Sequence, residues 1–336
     1  MTPIEMVASA AVPQDLFGPA DRSKIAESKK VWVDFQEAIV RSGIHRIEQD
    51  EMNRKLHAFW YEWSRQSSGR GDLRYEKDGS VFRVQELIGL GDLTSIYYTE
   101  CNGQPSVLKW DIKGDNEAAI LNEAGAIHAM WDSPNIRFRP YVPELLGSFN
   151  HEGSAGNVLN FLEDFVSLAY IKEYAYPDGI DIRDAAWMYR RLLVALGFAH
   201  NAGVIHGAVL PEHILIHPEK HGLVLIDWCY STRLHRQGLE RWVEKRRDFY
   251  APEALWAGKK PPVAMRETDI YMATKSIEYL LDGNVPQTFK NFFTYTKTSS
   301  VLLRPGDAWT VKEDFDKVLD REYERKFRPF VLPEPA

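Results

Sequence analysis

Cysteine is nearly missing from this sequence, with two in 336 residues, Cys101 and Cys229. They lie far apart and have no metal-ligand spacing, which excludes a disulfide framework or a zinc knuckle and leaves two plain thiols in a reducing compartment. Long apolar runs are missing too. Nowhere do ~18 apolar residues stand together, so no transmembrane helix is expected. The first residues lack a basic stretch followed by an apolar core, so no secretory leader is expected and the reading is a soluble cytoplasmic protein. A basic excess is also absent. Net charge is −7, from 41 basic and 48 acidic residues, which gives no whole-chain electrostatic case for nucleic acid. Local basic runs exist, and Lys245-Arg246-Arg247 among them reads as a solvated face.

Aromatic residues are plentiful, with ten Trp, 15 Tyr and 16 Phe, and such side chains supply much of the burial that offsets chain entropy. Residues 1–14 are small and aperiodic, a flexible N-terminus. Apolar residues at Ile25, Val31, Trp32, Phe35 and Ile39, then at Met52, Leu56, Phe59, Trp60 and Trp63, follow helical spacing and predict a helical hairpin over 15–66. Residues 67–79 open on Ser67-Ser68-Gly69-Arg70-Gly71-Asp72 and read as a linker. The period then shortens: Val81–Val84, Ser95–Thr99 and Ser106–Trp110 predict strands, with Asn102-Gly103 as a turn. A helix is expected near Glu117–Met130 and a longer one over Ala185–Asn201. Two short strands, Ile214–Ile216 and Leu223–Ile226, follow before a mainly helical remainder.

Several residues on this frame carry chemistry. Gly89 and Gly91 stand in Gly89-Leu90-Gly91-Asp92-Leu93-Thr94 between two strands, where glycines let backbone N–H groups approach a phosphate; a tight hairpin turn explains them equally. Lys109 sits in an otherwise apolar strand, so it needs a counter-ion or a phosphate. Glu123 comes fourteen residues later on the following helix and is a candidate partner. The segment His206-Gly207-Ala208-Val209-Leu210-Pro211-Glu212-His213-Ile214-Leu215 is followed by Ile226-Asp227-Trp228, then Ala251-Pro252-Glu253, Asp269 and Arg304.

In this order and spacing the residues resemble the protein-kinase superfamily, aligning with the catalytic loop His-Arg-Asp-Leu-Lys-Pro-Glu-Asn, with Asp-Phe-Gly and with Ala-Pro-Glu. The resemblance covers roughly residues 80–320. It implies an α+β bilobal protein-kinase-like fold, with a β-rich N-lobe over 80–162, an α-rich C-lobe over 163–328 and a C-terminal tail over 329–336. It further implies that Gly89, Gly91, Lys109, Glu123 and Asp227 hold ATP, with Asp227 binding Mg²⁺. His206, Ala251, Pro252, Glu253, Asp269 and Arg304 take structural parts. The Trp after Asp227 and the Gly after His206 also resemble small-molecule phosphotransferases, but Ala-Pro-Glu and Arg304 weigh toward the protein-kinase branch.

Three of the departures from the pattern decide the functional reading. Ala208 replaces the Asp that takes the substrate's hydroxyl proton, His213 replaces the Asn that holds the second Mg²⁺, and Gly207 replaces the preceding Arg. A methyl group is no base, and imidazole suits Mg²⁺ poorly. The lost base alone removes a factor of ~10²–10⁴ in rate. The expectation is therefore a bacterial or phage type of pseudokinase that binds nucleotide without efficient transfer. His213 is the candidate surrogate base of an atypical but active protein kinase. Asp15-Leu16-Phe17-Gly18 ahead of the hairpin resembles a DnaJ-type J domain, although Arg41–Arg46 lacks that family's His-Pro-Asp. This suggests docking of a protein partner, or a co-chaperone.

Overall fold

A computed structural model describes residues 74–77, 80–111, 116–151, 154–234, 238–239, 241–255, 262–324 and 326–333. The expected terminus over 1–14 and the J-domain-like hairpin over 15–66 lie outside the described residues. The chain divides into two compact units, Met1–Ile112 and Lys113–Ala336.

The first unit holds an antiparallel meander, β1 (Arg74–Lys77), β2 (Ser80–Leu90), β3 (Ser95–Cys101) and β4 (Gln104–Trp110). β3 buries Tyr97, Thr99 and Cys101 while the residues between them stay half-exposed, the two-residue period of a strand with one covered face. Asn102 and Gly103 both have positive φ, 51° and 79°, which matches the twist of a two-residue hairpin joining β3 to β4. Across that hairpin Thr99 and Ser106 are paired, their buried hydroxyls 2.6 Å apart. β2 slips register twice against β3, the second time between Leu87 and Gly89, so the strand bends just before the glycine turn. β1 corrects the expectation of a linker over 67–79. Arg-Tyr-Glu-Lys has no apolar alternation, yet the backbone ladder to β2 needs none.

The second unit is mainly helical. Helix α1 (Glu117–Trp131) is followed by the hairpin β5 (Leu145–His151) and β6 (Ser154–Asn160). At its centre runs α2 (Ile182–Asn201), with fourteen of twenty residues buried and Asp181 capping its start by accepting from the Arg183 N–H. After α2 come β7 (Val204–Ile205), β8 (Ile214–His217), β9 (Gly222–Leu225) and β10 (Thr232–Arg233). β8 pairs with β9, and β7 with β10. Helices α3 (Arg266–Leu280), α4 (Gln287–Thr296) and α5 (Ala308–Glu322) close the unit around Tyr189, Phe289, Phe293 and Phe315. No described helix is long and apolar enough to cross a membrane.

The fold is α+β and protein-kinase-like, a β-sheet region followed by a helical one. The compact units divide near 112 rather than at the lobe boundary expected at 162. The reason lies in α1, which is tied to the strand that follows Asp227. Asn122 donates to the Ser231 carbonyl (2.6 Å), and Arg233 donates to the Gly125 carbonyl (2.9 Å). Part of the tail expected over 329–336 is packed, since Phe330 is buried against Tyr176 and Trp187.

Candidate functional site

Within the first unit, the Gly91 N–H donates to the Thr94 carbonyl (2.8 Å) and closes the turn between β2 and β3. A β-carbon at Gly91 would lie 3.3 Å from that carbonyl, a tight fit. At Gly89 it would meet only ordinary contacts with Ile96, at 3.7 Å, so nothing nearby in the fold requires glycine there. Lys109 lies opposite Ile96 on β4 and is 7% exposed.

Within the second unit, Glu123 is fully buried on α1. Its Oε2 accepts a hydrogen bond from the Asn157 amide (3.0 Å), and Asn157 also donates to the Ile120 carbonyl (2.9 Å). A carboxylate oxygen of Glu123, one of Asp227 and the Cys229 sulfur all lie within 4.8 Å of one another. Asp227 has a left-handed backbone, φ 64°, a conformation costly for a residue with a side chain. Trp228 turns inward: it is fully buried, donates from Nε1 to the Leu225 carbonyl (2.9 Å) and packs edge-on against His206.

The loop from His206 to His213 is held at three levels. Beneath it, the buried Asp269 on α3 accepts from the His206 N–H (2.8 Å), from the Gly207 N–H (2.9 Å) and from His200 Nε2 (2.9 Å). Within it, the Ala208 N–H donates to His206 Nδ1 (3.2 Å), and His206 Nε2 donates to the Ile226 carbonyl (3.0 Å). One ring nitrogen thus accepts and the other donates, which is neutral imidazole; burial pushes the His206 pKa down to about 4. On its outer side, His213 Nδ1 meets the Ala208 carbonyl (2.8 Å) and Nε2 meets Asp227 Oδ2 (3.0 Å). Both partners are acceptors, an arrangement that favours the doubly protonated ring. Burial works against that charge, but the Asp227 carboxylate outweighs it and the His213 pKa is raised.

Ala208 is itself fully buried, and its backbone holds both histidines. Glu212 Oε1 accepts from Arg246, whose other arm reaches Glu173 (2.7 Å). Arg246 lies in the run read from sequence as solvated. Its side chain is 11% exposed between two carboxylates, a correction that a charge run alone does not signal. Asn157 and Asn122 also escaped sequence reasoning, because single asparagines carry no spacing signature.

Gly207 has φ 75°. A β-carbon there would come within 2.8 Å of the Tyr230 carbonyl oxygen and 2.6 Å of Leu239. Gly207→Ala is therefore expected to destabilise the protein by about 2–4 kcal/mol, from the left-handed backbone plus overpacking, as read by urea denaturation. Farther along, Glu253 of Ala251-Pro252-Glu253 accepts two bonds from Arg304 (2.6 and 3.3 Å) and one from the Thr268 hydroxyl (2.9 Å).

The donor set around Asp227 was weighed against the metal that kinases use. Mg²⁺ seeks hard oxygen ligands. Here one oxygen of Asp227 faces the His213 ring, one of Glu123 bonds Asn157, and Cys229 offers soft sulfur. The set fits one ion through Asp227 and does not fit a second, because His213 stands where the second ion's Asn ligand would be.

Comparison with known proteins points to the same class. No family model matches the chain. It is 23% identical to the serine/threonine-protein kinase RHS3 of Arabidopsis thaliana over 177 residues, covering 48% of this chain and 35% of that protein. It is 24% identical over 160 residues to casein kinase II subunit alpha' of Saccharomyces cerevisiae, covering 46% and 43%. It is 27% identical over 196 residues to the serine/threonine-protein kinase PknG of Mycolicibacterium smegmatis, covering 57% and 23%. The match spans less than half the length of each relative. Fold, motif order and these likenesses define a protein-kinase-like protein.

Proposed function

We propose that the chain is a nucleotide-binding pseudokinase that acts as a scaffold or regulator, with residues 15–66 as the arm that docks a protein partner. The observation that carries the reading is the buried methyl group of Ala208 at the base position. His213, the imidazole that would replace a base there, has one ring nitrogen on the Ala208 carbonyl and the other on Asp227. His206 is buried with its one lone pair bonded to the Ala208 N–H. Neither ring is placed to take a proton from a hydroxyl substrate.

Binding residues remain. Gly89 leaves room for close backbone approach, and Lys109 supplies a buried cation for phosphates. One Mg²⁺ on Asp227 would neutralise phosphate charge when bound. His213 already occupies one oxygen of Asp227, so ATP is expected to bind with weak dependence on Mg²⁺.

Thermal shift and transfer of labelled phosphate from ATP test the reading together. At ~100 times its Kd, ATP stabilises the protein by about 2.7 kcal/mol, a rise in Tm that Lys109→Ala abolishes. EDTA leaves most of the rise in wild type, and His213→Asn makes it depend on Mg²⁺. Transfer to the protein itself or to a lysate stays at background. Transfer by wild type that disappears in Asp227→Ala would overturn the reading in favour of an active kinase. Absence of any ATP-induced shift would remove the nucleotide and leave an interaction module.

A further inference from the structure

A cavity of about 590 Å³ opens in the second unit, walled by the segment after α1, by α2, by the β8–β9 turn and by α5. It shares no residue with the site above. Its lining carries Arg137, Arg191, Lys220 and Lys312 and no carboxylate. Lys312 is balanced by Asp316, 2.9 Å away. The other three have no carboxylate partner among the described residues: Arg191 donates to the Tyr141 hydroxyl (2.6 Å), and Arg137 lies over the Phe138 ring at 4.6 Å. Three cations thus line one hollow with no carboxylate among the described residues to answer them.

The walls between the charges are aromatic and fixed. Trp309 and Phe138 pack with centroids 5.1 Å apart. Trp309 is seated on Gly197, inside α2 about one turn from its end, where a β-carbon would come within 2.5 Å of the indole. Glycine inside a helix costs about 1 kcal/mol relative to alanine, and here it makes room for this ring. The cavity is large enough for a drug-sized molecule.

We propose that this cavity binds an aryl phosphate, the phosphate gripped by Arg137, Arg191 and Lys220 and the ring set among Phe138, Tyr141 and Trp309. Guanidinium forks match phosphate oxygens two at a time, and a dianion answers several cations at once, which a single carboxylate does not. Flat rings gain from stacking on aromatic walls. The same chemistry comes either as a free small molecule or as a phosphorylated tyrosine side chain.

Calorimetric titration of the full chain with phenyl phosphate, at constant ionic strength, tests the assignment. Phenyl phosphate is expected to bind at least about tenfold more tightly than inorganic phosphate. Arg137→Gln combined with Lys220→Gln, both at exposed positions, should weaken it by about tenfold or more. Lys109→Ala should leave it unchanged, which separates this cavity from the proposed nucleotide site. A phosphotyrosine peptide that binds at least as well as phenyl phosphate assigns the source to a protein; a peptide that is excluded while phenyl phosphate binds assigns it to a small molecule. No phenyl phosphate binding at millimolar concentration overturns the proposal. So does equal binding by wild type and the double variant, or loss of binding in Lys109→Ala.

Discussion

Replacing Arg304 by Met is expected to cost the second unit about 3–5 kcal/mol, read as a lower urea midpoint at unchanged slope. The Arg304 side chain is fully buried and Glu253 is 15% exposed. The guanidinium donates to both Glu253 oxygens, to the Glu267 carbonyl (3.0 Å) and to the Thr298 carbonyl (2.8 Å), and it lies over the Tyr271 ring at 4.7 Å. Methionine fills part of the volume but leaves a carboxylate and two carbonyls without their donor, and an uncompensated buried charge dominates the loss. Adding Glu253→Gln removes that charge, so the double variant should recover part of the stability. A double-mutant cycle that showed no coupling would mean the pair contributes only packing.

The second large effect depends on pH. His206 is buried with a pKa lowered to about 4, against about 6.5 in an unfolded chain. Above pH 6.5 both states are neutral and the histidine's contribution is fully present. As pH falls below 6.5 the unfolded chain takes up a proton that the folded protein refuses, so stability is lost progressively down to the folded pKa. The loss amounts to about 3 kcal/mol between pH 6.5 and 4. Carboxylates titrate over part of that range, so the measurement is a comparison of urea unfolding for wild type and His206→Gln at pH 7 and pH 4.5. The variant should lose less stability on acidification. Parallel losses would place the proton elsewhere.

What the sequence disclosed, and what it withheld, follows from where the information lies. Strands with a covered face and the long helix announce themselves through period, as in β3 and α2. The order from His206 to Arg304 discloses the fold class because many fixed spacings must agree. β1 gave no signal, since an edge ladder of polar residues is made by backbone. The partners of Glu123 and Glu212, namely Asn157 and Arg246, were invisible because they lie 34 residues away in the chain and are brought close by folding. The protonation of His213 was illegible for the same reason. It follows from two acceptors that only the folded loop sets on opposite sides of the ring.

The closeness of the Tyr230 carbonyl to Gly207 reaches beyond stability, to the history open to this protein. Any side chain at 207, arginine included, would need that carbonyl displaced. Arginine at 207, reached by one codon change, therefore gives a poorly folded protein. A second change in the neighbouring segment would have to come first. The backbone acts as a ratchet that holds descendants of this chain to a glycine at that position.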